Sequence, residues 1–163
     1  MHDIYKLSDK VINIIMPLAK MELYQSSFYN RVGAIANNLG YLEAEKYFYN
    51  ESNEEKEHFD MWKEYVLGRG NDFEIPAIDS PEAAGNTLYD LAELALAMEA
   101  EVSTMYQEAA ADVFPICQMT YRKMQEFIKI QEDAMKFYVD ACTVLAKLDK
   151  AGELVVEKRV FKV

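Results

Sequence analysis

Apolar residues recur at threes and fours through four long stretches of the chain, the period of an α-helix with one buried face. In the first stretch, from about Asp3 to Asn37, the repeat runs through Leu7, Val11, Ile14, Ile15, Leu18, Phe28 and Val32. Asn37-Asn38-Leu39-Gly40 reads as a helix stop and turn. A second helix is expected from Tyr41 to about Leu67, closed by Gly68-Arg69-Gly70. Residues 71–85 hold Pro76, Pro81 and Gly85 without a sustained period, so 68–85 reads as an unusually long connecting loop. A third helix should run from Asn86, as N-cap, to about Asp112. A fourth should carry Pro115 in its first turn and continue to about Lys150, before Gly152.

Helices of this length are rods of roughly 40–50 Å, and they hide their apolar faces only by lying side by side. One long connection lets the second and third run parallel. The fold class is therefore an all-α four-helix bundle with a single long crossover between the second and third helices, in one domain spanning 1–163. The tail, 151–163, is different. Val155, Val156, Val160, Phe161 and Val163 are β-branched or aromatic and favour extended structure.

Charge narrows the partners. A net charge of -11 repels nucleic acid and anionic membranes and suits cations. No run of about 18 apolar residues is present to span a membrane, and MHDIYKLSDK is too polar for a signal peptide. Cys117 and Cys142 form no CxxC pattern and read as reduced thiols of a cytoplasmic protein.

The acids on the apolar faces change the picture most. Glu22 shares a face with Ile15, Leu18, Ala19 and Tyr29; Glu99 with Ala92, Ala95, Leu96, Val102 and Tyr106. Glu55 lies along a row with Phe48, Phe59 and Trp62, with His58 one turn on, inside the stretch NEEKEHFD. On the fourth helix Glu132 has Ile128, Met135 and Val139 beside it. A lone Glu-x-x-His on a helix is commonly surface, and a lone buried carboxylate is relieved by protonation or pairing. One inward acid on every helix has a further relief, a carboxylate-bridged metal pair completed by imidazole. The pattern is Glu22, Glu55-x-x-His58, Glu99 and Glu132-x-x-Met135, so the second histidine of a doubled Glu-x-x-His set is missing. Gly68-Arg69-Gly70 is a helix stop that cannot cradle a phosphate, and no nucleophile partner for His or Cys is visible.

NLGYLEAEKYFYNESNEEKEHFDMWKEYVLGRG, IPAIDSP and LALAMEAEVS, in register with these acids, resemble the ferritin family from about Leu7 to Lys150. The spacings agree as well: 33 residues from Glu22 to Glu55, 44 to Glu99 and 33 to Glu132. The resemblance implies a di-iron ferroxidase centre. In it Glu22 and His58 bind the first iron, Glu55 bridges, Glu99 holds the second, and Tyr29 stands beside the centre. It implies oxidation of Fe(II) by dioxygen or hydrogen peroxide and storage of the ferric mineral in a homo-oligomeric shell, expected to be a 24-mer, with a dimer that lacks a storage cavity as the alternative.

Departures from the family pattern are local. Glu132 follows Gln131, which lies on its own apolar row with Met124, Phe127, Ile128, Met135 and Tyr138, so either can face the metals. Lys56 stands where the haem-binding bacterioferritins carry Met, so no haem is expected. Of the acids of a third iron site only Glu54 matches, with Gln131, Ala134 and Met135 at the other positions. VFPICQMTY lacks the acids that line a cage channel, and the tail departs from the family's short fifth helix. Two other readings fit the residues: a non-storing di-metal oxidase or peroxide scavenger of lower oligomeric state, and a metal-free helical module.

Overall fold

The structure, a computed structural model, describes residues 4–163. Four long helices, α1 (Asp9–Leu39), α2 (Leu42–Gly68), α3 (Leu88–Val113) and α4 (Gln118–Leu145), form the bundle, and a short α5 (Lys150–Val160) follows. Ser8 caps α1, whose far end closes on Gly40 in the left-handed region (φ 89°). That conformation suits a residue without Cβ, and it folds the chain tightly from α1 back into α2. Thr87, one residue beyond Asn86, caps α3 in a reciprocal box with Asp90. Pro115 lies in the turn before α4, which begins only after Cys117. Asp3, where a start was expected, lies outside the described residues, but α1 begins only at Asp9, because Ser8 in extended conformation caps it there.

Helix directions follow from cross-contacts. Tyr29 of α1 meets Glu99 of α3, and Tyr106 of α3 meets Glu22 of α1, so these two run antiparallel. The tight turn at Gly40 makes α1 and α2 antiparallel too, and residues 69–87 carry the chain back to start α3 parallel to α2. Trp62 stacks on Phe127 while Tyr47 stacks on Phe137, which sets α4 antiparallel to α2. Asn71 pins the beginning of that crossover by exchanging hydrogen bonds of 2.9 Å with the backbone N–H and C=O of Leu7.

The interior is divided in two. One cluster gathers Ile15, Leu18, Phe59, Trp62, Val102, Tyr106 and Phe127; the other gathers Phe28, Tyr29, Phe48, Leu91, Ala95 and Tyr138. Glu22, Glu55 and Glu99 lie at the waist between them. Cys117 and Cys142 stand near opposite ends of α4, about 37 Å apart by helical rise, too far to bridge to one another.

The tail is helical, against its residue preferences. Asp149 caps α5 by accepting from the Gly152 N–H at 2.9 Å, so Gly152 sits in the first turn of a new helix, and α4 ends earlier, at Leu145. Glu153 and Glu157, one turn apart, are both buried. Glu153 accepts from the Tyr41 phenol and from the N–H groups of Leu88 (3.2 Å) and Tyr89 (3.0 Å), the first residues of α3. Glu157 accepts from the N–H groups of Glu43 (3.2 Å) and Ala44 (3.3 Å), the second and third residues of α2. The two carboxylates cap two bundle helices from outside, and this tertiary gain overrides the β-preference of the valines. Phe161 then closes the end of the bundle against Phe48, Tyr47 and Phe137.

Candidate metal centre

Three helices deliver the acids because each acid occupies a position of its apolar stripe. Glu22 is fully buried, Glu99 is 1 % exposed and Glu55 5 %. His58 follows Glu55 by one turn, and its Nδ1 lies 2.8 Å from Glu55 Oε2 and 3.5 Å from Glu22 Oε2. Ligand atoms of Glu22, Glu55 and His58 all lie within 4.8 Å of one another. Glu99 joins from α3, and its Oε1 accepts from the Gln25 side-chain amide at 3.4 Å.

Each of two carboxylates is held by a tyrosine from the opposite helix. The Tyr29 phenol donates to Glu99 Oε1, and the Tyr106 phenol donates to Glu22 Oε1. Glu99 Oε2, Gln25 Oε1 and Gln131 Oε1 are buried with no hydrogen-bond partner among the described residues, and the second oxygen of Glu22, Oε2, faces only the His58 Nδ1, at the long distance of 3.5 Å. All four are acceptors. Leaving a buried acceptor unpaired is unfavourable by about 1–3 kcal/mol, more for a charged one. A cation at the waist relieves carboxylate oxygens and amide oxygens alike, and a set of hard oxygens with one imidazole fits a first-row divalent ion.

The protonation states point the same way. Burial, reinforced by the neighbouring charges of Glu22 and Glu99, pushes Glu55 well above the usual carboxylate range. Burial lifts Glu99 to about 7, against the opposing hydrogen bond from Tyr29. Glu51, one turn before Glu55, is likewise lifted to about 7 by burial and by the charges of Glu54 and Glu99. Burial alone would lower His58, but hydrogen bonds and charge from Glu22 and Glu55 outweigh it and raise the imidazole to about 10. The metal-free centre therefore retains protons, shared between His58 and the carboxyls around it, which balance part of the charge that a metal would balance.

On the fourth helix Gln131 is the residue turned inward. It is 1 % exposed, between Phe127, which meets the His58 ring at 5.7 Å, and Tyr138, which stacks on Tyr29. Glu132, expected among the ligands, turns to solvent instead. Its side chain is 73 % exposed and lies 3.5 Å from the Lys129 ammonium. Neighbouring helical residues differ by about 100° in direction, and Gln131 takes the inward one. Glu54 is also exposed, accepting from Asn50.

Reasoning from sequence passed over Gln25, Gln131 as a buried orphan, and Tyr106 as a partner of Glu22. A signal for Tyr106 was present: Glu22 precedes Tyr29 by the same seven residues that separate Glu99 from Tyr106.

A family model for ferritin, described as a ferritin-like domain, matches residues 13–148. The chain belongs to the ferritin family. Among solved structures, an open pore ferritin from the hyperthermophilic archaeon Archaeoglobus fulgidus is similar, with TM-score 0.90 and 17 % identity over 98 % of this chain and 99 % of that one. A closed form of the Archaeoglobus fulgidus ferritin, engineered by site-directed mutagenesis, and a humanized archaeal ferritin each give TM-score 0.89 at 17 % identity, over 97 % of this chain and 98 % of theirs. At that identity the likeness shows a shared fold. No curated protein matches this ferritin by sequence. No helix among its described residues is long and apolar enough to cross a membrane.

Proposed function

We propose that the chain is the subunit of a cytoplasmic non-haem ferritin. Its waist binds two Fe(II) ions as substrate, passes their electrons to dioxygen or hydrogen peroxide, and yields Fe(III) for storage as a mineral in a homo-oligomeric shell. The observation that carries this reading is the gathering of Glu22, Glu55 and His58 within ligand distance of one another, with buried acceptor oxygens of Glu99, Gln25 and Gln131 left unpartnered. Glu22 and His58 hold the first iron, Glu55 bridges, and Glu99 holds the second with Gln131 facing it from α4. Tyr29 fixes Glu99 so that Oε2 stays turned toward the metal. The proteins of similar fold are ferritins, and exposed apolar residues such as Phe114, Met119, Val144 and Val155 are surfaces for further copies of the chain.

The reaction needs no group beyond the site. Two Fe(II) and dioxygen with two protons give two Fe(III) and hydrogen peroxide; two further Fe(II) reduce that peroxide with two protons to water. The protein's part is to hold the irons close together in a dry pocket so that both reduce one oxidant. His58 and the raised carboxyls of Glu55 and Glu99 release protons as Fe(II) enters.

The test is an anaerobic Fe(II) titration of the metal-free protein, each sample then exposed to oxygen and followed by absorbance. A break near two irons per chain, with fast oxidation abolished in Glu55→Ala, is the expected result. No break, and oxidation no faster than in buffer, overturns the ferroxidase reading. Light scattering of the same sample measures the shell.

A further inference from the structure

Tyr106 is fully buried on α3 and does two things at once. Its phenol donates to Glu22 Oε1 and accepts from the Trp62 indole N–H at 2.8 Å. Trp62 is also fully buried. The rings stack with Phe127: Tyr106 lies 5.1 Å from Phe127 at an interplanar angle of 8°, and Trp62 lies 4.9 Å from it at 11°. Phenylalanine would fill this space as well as tyrosine, so packing alone leaves the hydroxyl unused. The hydroxyl completes a chain from an indole to a carboxylate of the metal centre. Tyr29 differs, since its phenol meets Glu99 with no hydrogen-bond donor recorded toward its oxygen among the described residues.

Resting on the two-iron reading above, we propose that Tyr106 is an electron and proton donor to the centre, and that Trp62 is the positioning residue that holds its oxidised form. Two bound Fe(II) supply both electrons that a peroxide needs. A singly loaded centre supplies only one and would release hydroxyl radical. Tyr106 supplies the second: Fe(II), hydrogen peroxide, the phenol and one solvent proton give Fe(III), two waters and the neutral phenoxyl radical. The O–O bond breaks, the phenolic O–H breaks, and the phenolic proton passes through Glu22 Oε1 into the water formed. The Trp62 N–H then donates to the phenoxyl oxygen, stabilising the radical until a later Fe(II) and a proton restore the phenol. Burial of all three rings keeps the radical from solvent.

The experiment loads the metal-free assembled protein anaerobically with one Fe(II) per chain, adds hydrogen peroxide, freezes it, and records electron paramagnetic resonance. A spin trap for hydroxyl radical is run in parallel. A tyrosyl signal that survives in Tyr29→Phe, disappears in Tyr106→Phe, and is replaced there by trapped hydroxyl radical is the expected outcome. In Trp62→Phe the signal should remain, with its largest g component raised because the phenoxyl oxygen has lost its hydrogen bond. That shift reads the geometry without altering Tyr106. A tyrosyl signal of equal yield in Tyr106→Phe overturns the proposal. So does its absence from the unmodified protein when the titration still breaks near two irons per chain. A missing break overturns the two-iron reading itself and this inference with it.

Discussion

Tyr106 and Glu22, 84 positions apart in sequence, share a buried hydrogen bond, and Tyr29 and Glu99, 70 apart, share its counterpart. The antiparallel pair α1 and α3 thus exchanges tyrosines across the waist. Each phenol occupies one oxygen of a carboxylate and fixes the direction of the other. The acids are set before a metal arrives, so binding loses little freedom to ordering them.

The chain's single tryptophan reports on that arrangement. Trp62 is buried and hydrogen-bonded one step from Glu22. Its emission should lie to the blue of free tryptophan and be quenched as iron fills the centre, saturating with the oxidation titration. Emission unchanged through loading would place the metals elsewhere.

Metal binding should expel protons. With His58 raised to about 10 and Glu99 to about 7, both hold protons in the metal-free state at pH 6. Calorimetric titration with Zn(II), a redox-inert probe, in buffers of different ionisation enthalpy should show more than one proton released per chain at pH 6 and fewer at pH 8. A release independent of pH would contradict this.

The same groups set the pH dependence of the metal-free fold. Glu51 and Glu99 bind protons more tightly folded than unfolded, so their contribution is full below about 4.5 and is lost as pH rises through about 7. The contribution of His58 is full below about 6.5 and is lost toward about 10. Tm of the metal-free protein should therefore fall between pH 5 and pH 9, by several degrees or more. Saturating divalent metal should flatten the fall. A rising Tm across this range would show the buried acids to be ionised and otherwise paired.

Adjacent residues on α4 should behave oppositely. Glu132→Ala removes an exposed group near Lys129 and should change stability by less than about 0.5 kcal/mol, with the iron break unmoved. Gln131→Leu keeps the bulk but removes a buried oxygen, and should weaken the second of the two irons. Titration of both variants checks this; a break lost only in Glu132→Ala would reverse the assignment.

Glu153→Ala should destabilise the protein by about 2–4 kcal/mol, since it strips acceptors from the Tyr41 phenol and from two N–H groups at the start of α3. Thermal unfolding measures the loss. A change within about 0.5 kcal/mol would mean that water replaces the carboxylate freely.

The sequence made four helices and a crossover legible because long apolar stripes interrupted by Gly and Pro admit few alternatives. The burial of Glu22, Glu55 and Glu99 was legible for a related reason: an acid within such a stripe is conspicuous. Glu132 was misread because α4 carries apolar residues on its solvent side too, Val139 and Val144 among them, so two adjacent rows looked buried. The tail was misread because propensity is local, whereas its helix depends on Glu153 and Glu157 reaching amides more than 60 and 110 residues away. The tyrosine exchange was written in two equal spacings, but a spacing does not show which helix a phenol will face.

The capping by α5 also orders events during synthesis. The first turns of α2 and α3 leave the ribosome with their amides unanswered, and the acceptors that satisfy them follow more than 110 and 60 residues later. Until Glu157 has emerged, one end of the bundle remains open to water. Closure of the bundle thus waits on synthesis of α5, and a chain cut short before Asp149 would be marked by two frayed helices.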